Sequence, residues 1–486
     1  MKHLKLKLLI IASSILFLYS CSGGSGGGSS DEGTAPVVVS TSPTSGATDV
    51  ASGDLAIKLT FDQVINFVTA NYIQIILKGT SSSATVSSAN LNSDYKTLTI
   101  SATGLTKGTT YTLTVPAGLI KGTGTLYNKE ITLSFTTIAA AAISSTPVDA
   151  NATTKCKSLY TYLKSVYGTK CLSAAMANVS WNTTGADKEY TVTGKYPAIN
   201  CYDFIFIYAS PANWINYSDI TPVTNWANNN GIVSLEWHFE VPKKSASDST
   251  DVTYDPTQTT FRCKNIFTSG SWEQTYFYKQ MDKVCAVLLK LQNAGIAAIW
   301  RPFHEAAGNT YAKNYTGTAW FWWGYDGATY YVKLWQAMYS YFQQKGIHNL
   351  IWIWVTQNYN GDSSQYGIDS AFYPGDNYVD IIGRDLYGDT ADQCYTEYSQ
   401  ISTLYPNKMV TLAECGNSVT NNTTIAATQA NISDQWLKGC RWLYFMPWYD
   451  YNYCQGTSTT NYMCSDSFWK DAMSRSYVID RSQVSY

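Results

Sequence analysis

Two glutamates occupy matching local settings in this chain. The run from Gly295 to Ile299 is apolar and leads into Trp300-Arg301-Pro302-Phe303-His304-Glu305. Met409-Val410-Thr411-Leu412-Ala413-Glu414-Cys415-Gly416 is a second apolar run closed by a carboxylate. Short apolar runs of this kind read as strands buried on both faces, the habit of parallel sheets. Carboxylates at the ends of two parallel strands can face each other across a cleft. That pairing suits retaining glycoside hydrolysis, in which one carboxyl donates a proton and the other attacks the anomeric carbon.

The composition fits such chemistry. The chain has 486 residues, more than one small core accommodates, so two or three domains are expected. Net charge is −2 and only 14% of residues are charged, against about 25% in ordinary soluble proteins. No basic stretch points to nucleic acid. Tyr (38) and Trp (16) are abundant. Their flat faces stack on the apolar faces of sugars and their polar ends hydrogen-bond.

Lys2, Lys5 and Lys7 precede the apolar run Leu8 to Leu18, a secretory signal too short to span a membrane. Leu18-Tyr19-Ser20-Cys21 resembles a bacterial lipoprotein signal. The resemblance implies removal of residues 1–20, lipid on Cys21, and an anchor in the outer membrane of a Gram-negative bacterium, at the cell surface or facing the periplasm. A Gly/Ser-rich tether, residues 21–34, follows. Ten cysteines remain in a compartment that permits disulfides, and Cys454 with Cys464 is the first pair expected. None falls in a CxxC pair, so no metal site is expected, and no cofactor.

Residues 35–138 hold short alternating runs: 55–61, 73–77, 97–100, 111–115 and 131–137. Such spacing predicts an all-β sandwich. Ser42-Pro43-Thr44-Ser45-Gly46 and Phe135-Thr136-Thr137 resemble bacterial Ig-like spacers. No aromatic cluster there supports a carbohydrate-binding module. Residues 139–149 form a small-residue linker. From 150 to 486 the pattern becomes strands at 171–177, 199–207, 231–239, 296–304, 349–356, 379–387, 409–414 and 441–448, with helices at 273–293 and 328–345 among those between them. Eight βα units predict an α/β fold, a (β/α)8 TIM barrel, whose active site lies at the C-terminal strand ends. Glu305 then closes strand four and Glu414 strand seven.

Residues 150–475 resemble glycoside hydrolase family 26, mostly β-mannanases. Trp300 to Glu305, Trp320-Phe321-Trp322-Trp323-Gly324, Asp385-Leu386-Tyr387, Leu412-Ala413-Glu414 and Pro447-Trp448-Tyr449 carry the resemblance. It implies Glu305 as acid/base, Glu414 as nucleophile and Tyr387 in contact with the nucleophile. His304 would bind sugar at the cleavage point and Trp320 would be a stacking platform. His238 and Trp448 match further sugar-binding positions. Trp323 is expected as an apolar wall and Asp385 as a sugar contact or an orienting group. Arg301 reads as a structural partner for a carboxylate beneath the site. Two departures stand out: Ala306-Ala307-Gly308 replaces Met-Asn-Gly, and about ten residues, 310–319, are inserted before Trp320.

The expected activity is hydrolysis of β-1,4-mannosidic bonds in mannan, galactomannan or glucomannan, by a monomer. The same machinery could release mannobiose from chain ends, or act on β-1,3-xylan or mixed-linkage β-glucan. A surface glycan-binding protein without turnover is the alternative from another class.

Overall fold

Alternation in the first unit sorts side chains into two faces. In the strand Gly53–Phe61, Ile57, Leu59 and Phe61 are buried and the residues between them are not, as a period of two requires. The strands Val38–Ser42, Gly53–Phe61, Thr97–Leu105 and Thr85–Leu91 form one antiparallel sheet in that order. Ile76–Gly79, Thr110–Val115 and Ile131–Thr136 form a second. Their apolar faces share a core that includes Leu98, Ile100, Leu113 and Phe135. The run 73–77, expected as a strand, begins instead as a 3-10 turn, Thr69–Gln74. Only Ile75 and Leu77 of that run turn inward; Ile73 and Ile76 are exposed. Val38–Ser42 and Thr85–Leu91 escape the sequence pattern because Ser, Thr and Ala dilute their alternation.

The computed structural model describes residues 33–80, 84–138, 142–178, 181–244, 250–308, 319–357, 370–420, 424–450 and 463–486. The expected signal, Cys21, nearly all of the tether, positions 310–318 and Cys454 lie outside them. Contacts divide the chain into two units between Ala140 and Ala141.

The second unit is a closed barrel. Its strands are β1 (Cys171–Met176), β2 (Ile199–Asp203), β3 (Ile232–Trp237), β4 (Ala298–Pro302), β5 (Leu350–Thr356), β6 (Ile381–Tyr387), β7 (Met409–Gly416) and β8 (Tyr444–Pro447). Each pairs in parallel with the next, and β1 pairs with both β8 and β2. The TIM barrel expected from the sequence is therefore present. Helices cover the outside, among them α1 (Trp272–Asn293) and α2 (Ala328–Gln344). Ser271 caps α1 by accepting from the Gln274 N–H, and Phe277, Met281, Val284, Leu288 and Leu291 form its buried stripe.

Strand alternation divides the barrel's apolar residues into two sets. Ile299, Ile353, Ile381 and Ala413 belong to one cluster with Leu159 and Leu163 of the helix Thr154–Val166. Trp300, Trp352, Trp354 and Leu412 belong to the other, which packs against α1 and α2. Arg301 lies two residues after Ile299 and so shares its face.

Candidate active site

The end of β7 is shaped by a bulge. β6 and β7 pair regularly from Ile381 opposite Met409 to Arg384 opposite Leu412. Ala413 is then skipped, so Asp385 faces Glu414 and Tyr387 faces Gly416. A bulge re-aims the side chains beyond it. Here it brings the Tyr387 hydroxyl to Glu414, where it donates to Oε2 at 2.5 Å. The Arg301 guanidinium donates to the other oxygen, Glu414 Oε1, and to Glu236 at the end of β3. Its Nη1 lies 3.5 Å from Asp385. Arg301 is fully buried, and its charge is shared among three carboxyl groups.

Glu305 leaves β4 through a strained turn. Phe303 and Glu305 have φ of 50° and 49°, a region that non-glycine residues rarely occupy. Neighbours hold the strain in place. Tyr331 of α2 donates to the Phe303 carbonyl at 3.0 Å, and the Trp323 indole to the His304 carbonyl at 2.8 Å. Gly324 packs so closely that a Cβ there would sit 1.7 Å from the Ala306 carbonyl oxygen. The backbone thus aims Glu305 at Glu414: one carboxylate oxygen each of Glu305, Asp385 and Glu414 lies within 4.8 Å of the others.

Three carboxyl groups so close cannot all ionise. Burial, and then the Glu414 charge, push the Glu305 pKa up to about 8. The same two causes push Asp385 well above the carboxylate range. Burial and Glu414 also raise Tyr387, so it stays a donor. Glu414 is the carboxylate served by two donors, Arg301 and Tyr387. A protonated acid beside an ionised nucleophile is the division of roles that retaining hydrolysis needs.

Two histidines flank the pair with opposite character. Burial opposes charge on His238, but Asp203, Glu236 and Glu414 together outweigh it and the pKa rises to about 9; Nδ1 lies 2.6 Å from Asp203 Oδ2. His304 is held well below its usual value by burial, then by Arg301 and His238. Its Nε2 lies 3.8 Å from Glu414 Oε1, so a neutral ring faces Glu414. Among the described residues, two carboxyl-rich groups are close enough to ligate an ion, Asp203-Glu236-His238 and Glu305-Asp385-Glu414. In both, Arg301 and protonated His238 already supply positive charge.

A cleft of ≈ 440 Å³ opens over these groups. Its wall includes His238, His304, Glu305, Trp320, Tyr387, Glu414 and Trp448, which brings together seven residues singled out in the sequence. Two others stand elsewhere. Trp323 is fully buried, stacked beneath Phe321 at 4.3 Å, so Phe321 forms the wall in its place. Asp385 is covered by Arg301 and Glu414 and does not line the cleft. Phe321 and Tyr449, which stand inside the motifs that carry the resemblance, also line it, with Tyr254, Ile205 and Met463, which carry no distinctive sequence signal. Glu236 does carry one, since it closes the apolar run Ile232 to Leu235 much as Glu305 and Glu414 close theirs. The nine cysteines among the described residues, Cys464 included, are free and buried.

The comparison with known proteins agrees with this geometry. The pattern of Glycosyl hydrolase family 26 matches residues 148–473. The chain belongs to glycoside hydrolase family 26. A bacterial Ig-like domain matches residues 32–137. Among solved structures, the family 26 domain of an endo-β-mannanase/endo-β-glucanase from Prevotella bryantii is 50% identical. It covers 71% of this chain and 100% of its own, with a TM-score of 0.64. A β-mannanase from a symbiotic protist of the termite Reticulitermes speratus, complexed with a gluco-manno-oligosaccharide, is 30% identical over 71% of this chain and 99% of its own, at a TM-score of 0.56. Mannan endo-1,4-β-mannosidases A and B of Piromyces sp are 29% and 28% identical over 79% of this chain. The match spans only 57% and 61% of those two proteins' own lengths.

In this family 26 barrel the described residues that follow β8 are also tied down. Asp450 pairs with Lys188 in a buried ion pair and accepts the Met463 N–H at 2.6 Å. Trp448 donates its backbone N–H to Cys415, next to Glu414, at 2.9 Å. Trp448 and Met463 are thus fixed relative to Glu414.

Proposed function

We propose that the chain is a retaining endo-β-1,4-mannanase acting on mannan, galactomannan or glucomannan. The observation that carries this reading is the pairing of Glu305, raised to about 8 by burial and by Glu414, with Glu414 held by Arg301 and Tyr387. Glu305 protonates the glycosidic oxygen while Glu414 attacks the anomeric carbon. The C–O bond to the leaving sugar breaks and a glycosyl-Glu414 ester forms. Glu305, now a base, takes a proton from water, which hydrolyses the ester and frees Glu414. Tyr387 and Arg301 orient Glu414, and Trp320 supplies a stacking face.

Membership of the family supports hydrolysis, and the mannanase names of the relatives support a β-mannan substrate. The test is digestion of linear mannan, galactomannan and β-1,3-xylan by protein lacking residues 1–21, with products resolved over time. Mixed manno-oligosaccharides at early times are expected. A single short product from the outset would mean cleavage from chain ends, and intact mannan would contradict the substrate assignment.

The location we propose is lipid anchorage through Cys21, with the Gly/Ser tether and the Ig-like unit as spacers. The Lys-rich start, the apolar run and Ser20-Cys21 support it. Cys21→Ser should move the protein from the membrane fraction to the soluble one; an unchanged distribution would contradict it.

A further inference from the structure

Trp214 is the only exposed tryptophan among the described residues, with 59% of its surface accessible. Single exposed apolar side chains are ordinary on protein surfaces; this one is distinguished by how it is mounted. Ala212 and Ile215 exchange backbone hydrogen bonds of 2.8 and 3.2 Å, so Asn213 and Trp214 form the tip of a tight turn. Phe206 supports the indole edge-on, with ring centres 4.7 Å apart and planes at 84°.

The base of the turn is fixed. Tyr217 donates its hydroxyl to the Asp203 carbonyl at 2.7 Å and accepts the Phe206 N–H at 3.2 Å. Lys283 of α1 donates to the Ile207 and Tyr208 carbonyls at 3.2 and 2.7 Å. The turn follows the C-terminal end of β2, on the face where the barrel carries its cleft. Ile205, the residue before Phe206, lines the cleft wall. The path from cleft to Trp214 therefore runs through one residue, Phe206.

We propose that Trp214 is a distal stacking platform for the polysaccharide backbone where it leaves the cleft past Ile205. The inference rests on the reading of the cleft as a β-mannan site. A β-1,4-linked hexose chain presents apolar ring faces to an aromatic side chain, and a rigid mount lowers the ordering cost of binding. Such a platform contributes to long substrates and not to those held within the cleft.

The experiment compares wild type, Trp214→Ala and Trp214→Phe on linear β-mannan and on mannotetraose. For Trp214→Ala, kcat/KM on the polymer should fall about tenfold, carried by KM. On mannotetraose it should stay within about twofold of wild type. Trp214→Phe keeps a flat face and should recover most of the loss. Equal effects on both substrates, or none on either, would overturn the platform while leaving the cleft assignment intact. A wild-type protein inert on both would instead defeat the cleft assignment, and the platform with it.

Discussion

The Tyr387 hydroxyl donates to Glu414 Oε2 at 2.5 Å while Arg301 holds Oε1. The contact exists because the bulge at Ala413 sets Asp385 opposite Glu414 and Tyr387 one pleat further on. Hydrogen bonds to charged groups contribute about 1.5–3 kcal/mol. If that strength is realised as Glu414 attacks, Tyr387→Phe should lower kcat roughly 10- to 100-fold. KM should change little, as steady-state kinetics on mannan would show.

The pH profile should report Glu305. Its pKa is raised to about 8, so the acid is protonated below that pH and lost above it. The expected result is an alkaline limb of kcat/KM near pH 8. Part of the rise comes from the Glu414 charge. Glu414→Gln should therefore lower the Glu305 pKa, measured by carbon NMR of labelled glutamate. A pKa unmoved by that change would remove Glu414 as a cause.

Arg301 balances Glu236, Glu414 and Asp385 from a fully buried position. Arg301→Met leaves buried Glu414 without its cation, a change that typically costs about 3–5 kcal/mol. Denaturant unfolding should show that loss, and kcat should collapse. Arg301→Lys should restore charge and part of the stability, but not the forked geometry.

Gly324 supports Glu305 from a distance. A Cβ there would meet the Ala306 carbonyl at 1.7 Å, and Ala306 directly follows Glu305. Gly324→Ala should destabilise the barrel by about 1–3 kcal/mol. It should also lower kcat without altering the pH limb, because Glu305 is displaced and its surroundings are kept.

The barrel was legible because each strand is a short apolar run, and closure demands that such runs alternate with helices. Glu305 and Glu414 were legible because each ends a run with a charge that no core accepts unpaired. Neither period nor composition shows which of two neighbouring aromatics faces the cleft. Phe321 and Trp323 exchange roles because Trp323 spends its indole N–H on the His304 carbonyl, a contact fixed only when the short helix Trp322–Tyr325 packs against the turn after β4. Tyr254 reaches the cleft from the ribbon pairing Val241–Pro242 with Val252–Thr253, whose position depends on contacts remote in sequence. The bulge at Ala413 has no residue signature, yet it decides that Tyr387 meets Glu414.

The most direct test of the two-glutamate account is proton NMR of the first sugar ends released from a β-linked manno-oligosaccharide. Attack by Glu414 followed by water predicts that the β-anomer appears first and mutarotates afterwards. Initial release of the α-anomer would mean that water attacks directly, and would contradict the role assigned to Glu414.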